Sequence, residues 1–221
     1  DNFSPHSEVS SKRLIALRNL LKKDSITAFS TVPALFQPFF DKASINTLFF
    51  EFKENQKIDR NELISNLVEN GYDPADLVTK PSSYALRGSV IDIFPSNSKY
   101  PIRVDLDDDL ISSISIFDTD TQKTLRKINS FIVRPSRGFV LNINSIKTFK
   151  KNWRSRFKDD GEVFESVSKG KFISGIEFYS SLFYDEKPTL KDYLNGFNIF
   201  IVGDVKSCLL YTSDAADEWR S

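Results

Sequence analysis

The sequence predicts a mixed fold, in which an α/β segment surrounds a smaller α+β domain. At the amino terminus a helical pattern is followed by two short apolar runs, as in a layer of helices on a parallel sheet. Between residues 54 and 134, one helical pattern precedes several short strands separated by turns, which is typical of an antiparallel meander. An amphipathic helix and a continuous apolar run follow. We therefore expect segments at 1–53, 54–134 and 135–207, of which the second is the α+β domain.

The composition is that of an ordinary globular chain without a strong overall field. Of its 221 residues, 40% are hydrophobic and 27% are charged, and 30 basic residues balance 30 acidic ones. A chain without net charge is not drawn as a whole to nucleic acid or to an anionic membrane, so any such contact must come from local patches. No apolar run approaches the roughly 18 to 20 residues that span a bilayer. We expect a cytoplasmic protein with no membrane contact.

Both ends of the sequence are unusual. The chain begins at Asp1 and contains no methionine, so we expect further sequence upstream. Residues 208–221 resemble the translation of a sequencing-library adapter, and we interpret them as not natural. This interpretation removes the single cysteine, Cys208, and leaves a natural portion that has no residue for a disulfide or a thiolate metal site.

The first segment opens with an amphipathic helix. Ser4 and Pro5 form a helix-start pattern, and apolar residues recur at helical spacing from Val9 to Leu21. The patterns that follow are shorter. They predict strands at 26–30 and 45–52, with an apolar stretch of undetermined type at 33–40.

The second segment carries the clearest local signals. Asp59 followed by Glu62 predicts a capping box, and Asn70 with Gly71 predicts the end of the same helix. Turn residues then separate a series of β-rich runs. These predict strands at 84–87, 90–94, 100–106, 111–117 and 128–134.

The third segment combines a basic amphipathic helix with a final apolar run. Residues 144–157 place four large apolar side chains on one helical face, and basic residues cover the remainder. The apolar set is Ile146, Phe149, Trp153 and Phe157, and the basic set is Lys147, Lys150, Lys151, Arg154 and Lys158. The basic residues are a possible DNA contact, although a solvated helix face is favoured. Residues 197–202 predict a strand buried on both faces, which could rejoin the first sheet.

Catalytic and metal-binding patterns are weak. Gly170-Lys171 is followed by Phe172 and lacks the spacing and the hydroxyl of a phosphate-binding loop. Residues 182–186 look like an apolar strand ending in an Asp-Glu pair, but the pair has no nucleotide to hold without that loop. His6 is the only histidine, which excludes a histidine cluster for zinc. The aspartates at 105–109 lack calcium-loop spacing and predict an acidic turn.

Strand alternation points to a different kind of site. Ile102, Val104 and Leu106 should face the core, which directs Arg103 outward. By the same parity Arg87 points outward beside Gly88. Pattern alone thus predicts two exposed arginines, and a binding role for them remains a hypothesis.

Residues 84–95 carry a resemblance to a known family. The run from Arg87 to Pro95 is similar to the Arg-Gly-x-x-x-Asp-Ile-Phe-Pro signature shared by UvrB and the bacterial transcription-repair coupling factors. Flanking matches at 3–6, 62–72, 116–122 and 175–184 extend the resemblance over nearly all of residues 1–207. UvrB itself is the alternative within the family, but its tyrosine-rich DNA-gripping hairpin has no counterpart here.

The resemblance implies a fold and a set of partners. It implies a degenerate RecA-like nucleotide-binding fold without ATP hydrolysis, into which a small UvrB interaction domain that recruits UvrA is inserted. Arg87 and Arg103 match arginines that face UvrA, and Leu106-Asp107 stands where relatives often carry an aromatic pair. No cofactor is implied for this part of the protein. ATP and magnesium would serve a motor elsewhere in the full-length protein, and RNA polymerase and DNA would bind other regions.

Overall fold

The computed structural model describes residues 7–22, 26–36, 39, 42–185 and 188–200. The predicted helix start at Ser4-Pro5, the end of the predicted strand at 201–202 and the adapter-like tail at 208–221 lie outside these residues. Within them, no helix is both long and apolar enough to cross a membrane.

The first described segment is helical. Helix α1 (Ser7–Leu21) confirms the predicted helix and buries Leu14, Leu17 and Leu20. Two single-turn helices follow, α2 (Val32–Leu35) and α3 (Lys42–Ile45), with a 3-10 turn at Asn46–Leu48. The strand predicted at 26–30 is wrong: these residues are irregular and Phe29 is 96% exposed. A β-rich run forms a strand only where a partner strand pairs with it.

The strand predicted at 45–52 is correct only at its end. Strand β1 (Phe50–Lys53) pairs antiparallel with β8 (Ser130–Val133), with Phe50 opposite Val133. In this ribbon Phe52 stacks on Phe131 at a ring distance of 5.1 Å. The expected parallel sheet is absent from the described residues, in which the only parallel pairing is that of β2 (Asp73–Pro74) with two residues of β3 (Ser83–Arg87). The described residues before β1 form mainly helices instead.

The chain segment between β1 and β8 forms a six-stranded sheet, in which the strands have the order β2-β3-β4-β5-β6-β7. The predicted meander is confirmed for its first four strands, which are joined by antiparallel pairing. The fifth strand of the meander, at 124–127, was not predicted, and the strand predicted at 128–134 forms β8 of the separate ribbon instead. The strands are β2 (Asp73–Pro74), β3 (Ser83–Arg87), β4 (Val90–Phe94), β5 (Ile102–Asp107), β6 (Leu110–Phe117) and β7 (Thr124–Lys127). The acidic turn between β5 and β6 is also confirmed, with Asp108 in the left-handed region at φ 52°.

One helix, α4 (Arg60–Glu69), covers the inner face of this sheet. Asp59 caps its start as predicted, because its side chain accepts hydrogen bonds from the backbone N–H groups of Asn61 and Glu62. The predicted capping box is only half formed, since the Glu62 side chain does not bond back to Asp59 in the described structure. Leu63 and Leu67 pack among the inward residues of the strands. The inner face and α4 therefore form one core, to which Phe52, Phe131 and Val133 of the ribbon also contribute.

The remaining helices form a second core. They are α5 (Ile143–Arg154), α6 (Glu162–Ser168), a 3-10 helix (Ile176–Phe183) and α7 (Leu190–Tyr193). Phe149 and Trp153 of α5 are buried as predicted, and they share this core with Leu14 and Leu17 of α1. The segments that precede and follow the six-stranded sheet in the sequence thus pack together in this core. The sheet itself packs with α4 around a separate core.

Two strand predictions in the third segment are wrong. Residues 182–185 do not form a strand, since the 3-10 helix continues through Phe183 and the next two residues are irregular. Glu186, the last residue of this prediction, lies outside the described residues. Residues 197–200 are irregular, with Phe200 87% exposed, so the described part of that apolar run is not a buried strand.

Arg137 connects the two cores. Its guanidinium lies over the ring of Phe172 at 4.0 Å and approaches Asp73 at 3.9 Å. Gly71, at φ +83°, makes room for it, because a Cβ there would lie 2.6 Å from Cγ of Arg137. Close approach and backbone conformation both require glycine at this position.

We predict that Gly71→Ala destabilises the chain more than Gly170→Ala. Both glycines have positive φ, but a Cβ at Gly170 meets only Ile146, at 3.9 Å. The shared backbone strain costs about 1 to 2 kcal/mol, and displacing Arg137 adds about 1 to 3 kcal/mol. Thermal unfolding followed by circular dichroism should show a Tm lower by roughly 2 to 4 °C for each of these kcal/mol. Equal Tm values for the two variants would contradict a tight seat at Arg137.

Candidate protein-binding surface

The outer face of the sheet is organised around a buried carboxylate. Asp92 lies in the middle of β4, opposite Ala85 of β3 and Arg103 of β5. Its side chain is 0% exposed, and it accepts hydrogen bonds from both Arg87 and Arg103. A buried carboxylate is tolerated only when it is paired and hydrogen-bonded, so Asp92 requires at least one of these arginines.

Arg103 is the main partner of Asp92. Its Nε donates to Oδ1 at 2.7 Å and its Nη2 to Oδ2 at 2.9 Å, which is the bidentate fork that guanidinium groups form with carboxylates. The group also lies over the ring of Phe117 at 4.3 Å, and the side chain is only 19% exposed. Hydrogen bonds to Asp92 hold the pKa of Arg103 above its usual value. Arg103 is therefore charged and fixed in place.

A tight turn between β6 and β7 completes this arrangement. Gln122, at φ 59°, accepts from Arg103 through its side-chain oxygen at 3.2 Å and through its backbone oxygen at 3.4 Å. Asp118 shapes the turn by accepting hydrogen bonds from the N–H and hydroxyl groups of Thr121, and these bonds hold the pKa of Asp118 below its usual value. We call Asp92, Arg87, Arg103 and Gln122 the Asp92 network.

Arg87, at the end of β3, differs from Arg103. It reaches Asp92 through Nη2 alone, and its side chain is 44% exposed. The β3-β4 turn beside it is fixed by Arg60, whose Nη1 donates to the carbonyl of Gly88 at 2.6 Å. Arg87 therefore combines an anchored position with exposure to solvent.

The prediction of two exposed arginines needs correction. Strand parity is right, because both arginines lie on the outer face, but Arg103 is largely buried by its pairing with Asp92 and by Phe117. The face is also not basic. Asp105 shares it, held by a 2.6 Å hydrogen bond from the hydroxyl of Ser113, so the face carries carboxylates as well as guanidinium groups.

The two other predicted contact residues, Leu106 and Asp107, also differ in their exposure. Leu106 is 8% exposed and packs in the core under α4, whereas Asp107 is exposed at the turn that follows. The side chain of Leu106 therefore supports the strand from inside, and Asp107 remains accessible.

Sequence reasoning missed Asp92 as a site residue. The signature contained the signal, since Arg87 and Asp92 are five residues apart across a two-residue turn and Asp92 interrupts an otherwise apolar strand. A charged residue within such a strand predicts a buried ion pair. Its second partner, Arg103, lies on the next strand, and register alone brings them together.

Some of the basic side chains on α5 that were predicted as a DNA contact already contact other residues of the chain. Lys151 pairs with Asp185 at 2.8 Å, and Arg154 lies over the ring of Phe164 at 5.4 Å. Lys147 and Lys158 are exposed and Lys150 is half-buried. Phe149 and Trp153 are in the core, although Phe157 is 42% exposed. The helix therefore offers scattered cations rather than a stacking surface for bases.

No metal centre is apparent in the part of the chain that the structure describes, where no three His, Cys, Asp or Glu side chains are grouped to hold an ion. A cavity of about 170 Å³ lies between α1 and the sheet, beside Gly71 and Arg137, with Ser10, Lys80 and Glu177 in its lining.

We predict that Arg103→Ala lowers stability far more than Arg87→Ala. Removing Arg103 strips Asp92 of its bidentate partner in a buried position, which costs on the order of 3 kcal/mol. Arg87 is half-exposed, so its removal should cost about 1 kcal/mol or less. The Tm of the first variant should fall by roughly 6 to 12 °C. A fall of similar size for both variants would show that the two arginines support Asp92 equally.

The part of the chain that carries this surface matches a known family of domains. Residues 50–139 match the family model of the UvrB interaction domain. The match begins at the first residue of β1 and ends shortly after β8, so it takes in the ribbon, α4 and the whole six-stranded sheet. This part of the chain is therefore similar to UvrB interaction domains.

The resemblance to transcription-repair coupling factors is confirmed over most of the chain. The sequence is 33% identical over 205 residues to the transcription-repair-coupling factor of Haemophilus influenzae, which covers 91% of this chain and 18% of the relative. It is 31% identical over 212 residues to that of Escherichia coli, covering 94% and 18%. The UvrABC system protein B of Neisseria meningitidis serogroup A is 27% identical over 225 residues, covering 90% and 33%. The chain thus spans under a fifth of the length of these coupling factors.

Proposed function

We propose that this chain is the partner-recruiting part of a bacterial nucleotide excision repair factor and that it binds UvrA through the outer face of its sheet. The observation that carries the proposal is Arg87, which is anchored on Asp92 yet 44% exposed within a UvrB interaction domain. A guanidinium held in this way can bind a carboxylate with little further loss of side-chain entropy. Asp107 is a second accessible group on the same domain.

The coupling factor is favoured over UvrB as the parent protein. Identity is higher to the coupling factors, at 33% and 31%, than to the UvrB relative, at 27%. In such a protein, RNA polymerase and DNA would be bound by regions outside this chain. Recruitment of UvrA to a stalled polymerase would then be the contribution of the domain described here.

We predict that Arg87→Glu abolishes UvrA binding while the chain stays folded. Loss of one partner of an interfacial charge pair costs about 2 to 5 kcal/mol, or roughly 30-fold and upward in Kd, and reversal adds repulsion. Arg156→Glu is the matched control, because Arg156 is exposed and lies outside the interaction domain. Binding can be measured by calorimetry with UvrA from Haemophilus influenzae and from Escherichia coli, with circular dichroism to verify folding.

The outcomes separate clearly. The control should bind as tightly as the unsubstituted chain. Equal Kd values for Arg87→Glu and Arg156→Glu would remove Arg87 from the interface. An unsubstituted chain that binds neither UvrA protein would overturn the proposed partner.

We also infer that the chain hydrolyses no ATP. Its sequence has no phosphate-binding loop, since Gly170-Lys171 is followed by Phe172 and lacks the hydroxyl that holds magnesium. We predict that the purified chain, with ATP and magnesium, releases no phosphate above a buffer control. Saturable hydrolysis that follows the chain through successive purification steps would contradict this inference.

A further inference from the structure

The sequence contains two Asn-Gly pairs, and the structure places them in opposite environments. Asn70 and Gly71 follow the last residue of α4, and the Asn70 side chain is buried there. Asn195 and Gly196 lie in the turn after α7, and both are exposed. An asparagine before glycine loses its side-chain nitrogen readily, because glycine has no Cβ to hinder attack by its backbone nitrogen on the neighbouring side chain. The same chemistry thus meets two different local structures.

The groups that would react at Asn70 are held in place. Its Nδ2 donates to the carbonyl oxygen of Asn66 at 2.9 Å, and the N–H of Gly71 donates to the carbonyl oxygen of Val68 at 2.9 Å. Asn70 is only 3% exposed. Reaction at this pair requires the end of α4 to open, and opening of a packed, hydrogen-bonded segment costs free energy.

The corresponding groups at Asn195 are not held in this way. The turn is closed by a 2.9 Å hydrogen bond from the N–H of Phe197 to the carbonyl oxygen of Leu194, which does not use the N–H of Gly196. Among the described residues, no hydrogen bond of the Asn195 side chain or of the Gly196 N–H is found. Gly196 has φ +92°, and a Cβ there would meet nothing within 4 Å, so the approach to its nitrogen is open.

We propose that Asn195-Gly196 is a modification site, at which the folded chain undergoes spontaneous deamidation. The backbone nitrogen of Gly196 forms a bond to Cγ of Asn195, the bond between Cγ and Nδ2 breaks, and the amide proton leaves with Nδ2 as ammonia. Water then opens the cyclic imide. Addition at the side-chain carbonyl gives aspartate, and addition at the main-chain carbonyl gives isoaspartate. Water is the only co-reactant, and no group is oxidised or reduced.

The products change the charge and the backbone of this turn. Each conversion adds one negative charge to a chain whose formal net charge is zero. Isoaspartate also inserts a methylene group into the main chain between Leu194 and Phe197. Because Phe197 is half-buried against the helical core, the longer backbone loosens its packing. The site lies outside residues 50–139, so the inference does not depend on UvrA binding.

Three asparagines of the full 221-residue chain can be compared in one sample. The folded chain is incubated at mildly alkaline pH and digested, and the conversion of each asparagine is measured by mass spectrometry of its peptide. Asn70 has the same following residue as Asn195 but is buried. Asn198 is also exposed, but the β-branched side chain of Ile199 hinders the nitrogen that would attack it.

We expect Asn195 to convert at least about tenfold faster than Asn70, a ratio that corresponds to an opening cost of about 1.4 kcal/mol at the end of α4. Asn198 should also convert more slowly than Asn195. In urea, Asn70 and Asn195 should convert at similar rates, because both pairs are then unfolded. Asn195→Gln should remove most of the acidic species that ion exchange separates from the unmodified chain, while circular dichroism shows an unchanged fold.

Other results would contradict the proposal. Equal rates at Asn70 and Asn195 in the folded chain would show that the fold does not select the site. Conversion of Asn198 ahead of Asn195 would show that exposure alone, without the open approach to Gly196, decides the reaction. Either result would overturn the assignment and leave the proposed UvrA contact untouched.

Discussion

The structure of the outer sheet face depends on a single requirement, which is that the buried carboxylate of Asp92 be paired. Its side chain is fully buried, and an unpaired charge in such a position would cost several kcal/mol. Arg103 therefore lies flat against the sheet between Asp92 and Phe117, and the turn that ends in Gln122 must close over it. Arg87 receives a fixed position from the same carboxylate while it remains partly in water. One buried charge thus defines which groups on this face are rigid and which are available.

The interaction domain was predictable from sequence because its signals are local. The Asp59 cap, the alternating strands and the Gly and Asp turns act within a few residues, and the structure reproduces them. The helical part was less predictable. Residues 26–30 and 197–200 have β-rich composition, but no strand of the described chain pairs with them and they are irregular. Residues 45–48 also lack a partner strand, and they are helical. A high β-propensity favours a strand, but the strand is stable only when another strand pairs with it.

The sequence predicted which face of the sheet carries the candidate site, but it did not predict how deeply the site residues are buried. Alternation places Arg87 and Arg103 on one face without any knowledge of the partner strands. Their burial depends on register, because Asp92 meets Arg103 only if β4 and β5 align as they do, and that alignment is a long-range property. Alternation also places Asp105 on this face, but the hydrogen bond that holds its carboxylate depends on the register that brings Ser113 opposite it. The result is a surface whose specificity rests on the direction of its donors rather than on its potential.

The β1-β8 ribbon has a consequence for how such a domain can be rearranged in evolution. Phe50 and Val133 are cross-strand neighbours, so the chain enters and leaves the domain at points about 5 Å apart. Everything between them encloses its own core, and the helices outside form theirs from both flanking stretches. A gene segment that encodes residues 50–133 could accordingly be moved into any host loop whose ends are similarly close. Such a move would break the contacts of Arg137 with Gly71 and Asp73, while each core would keep its own side chains.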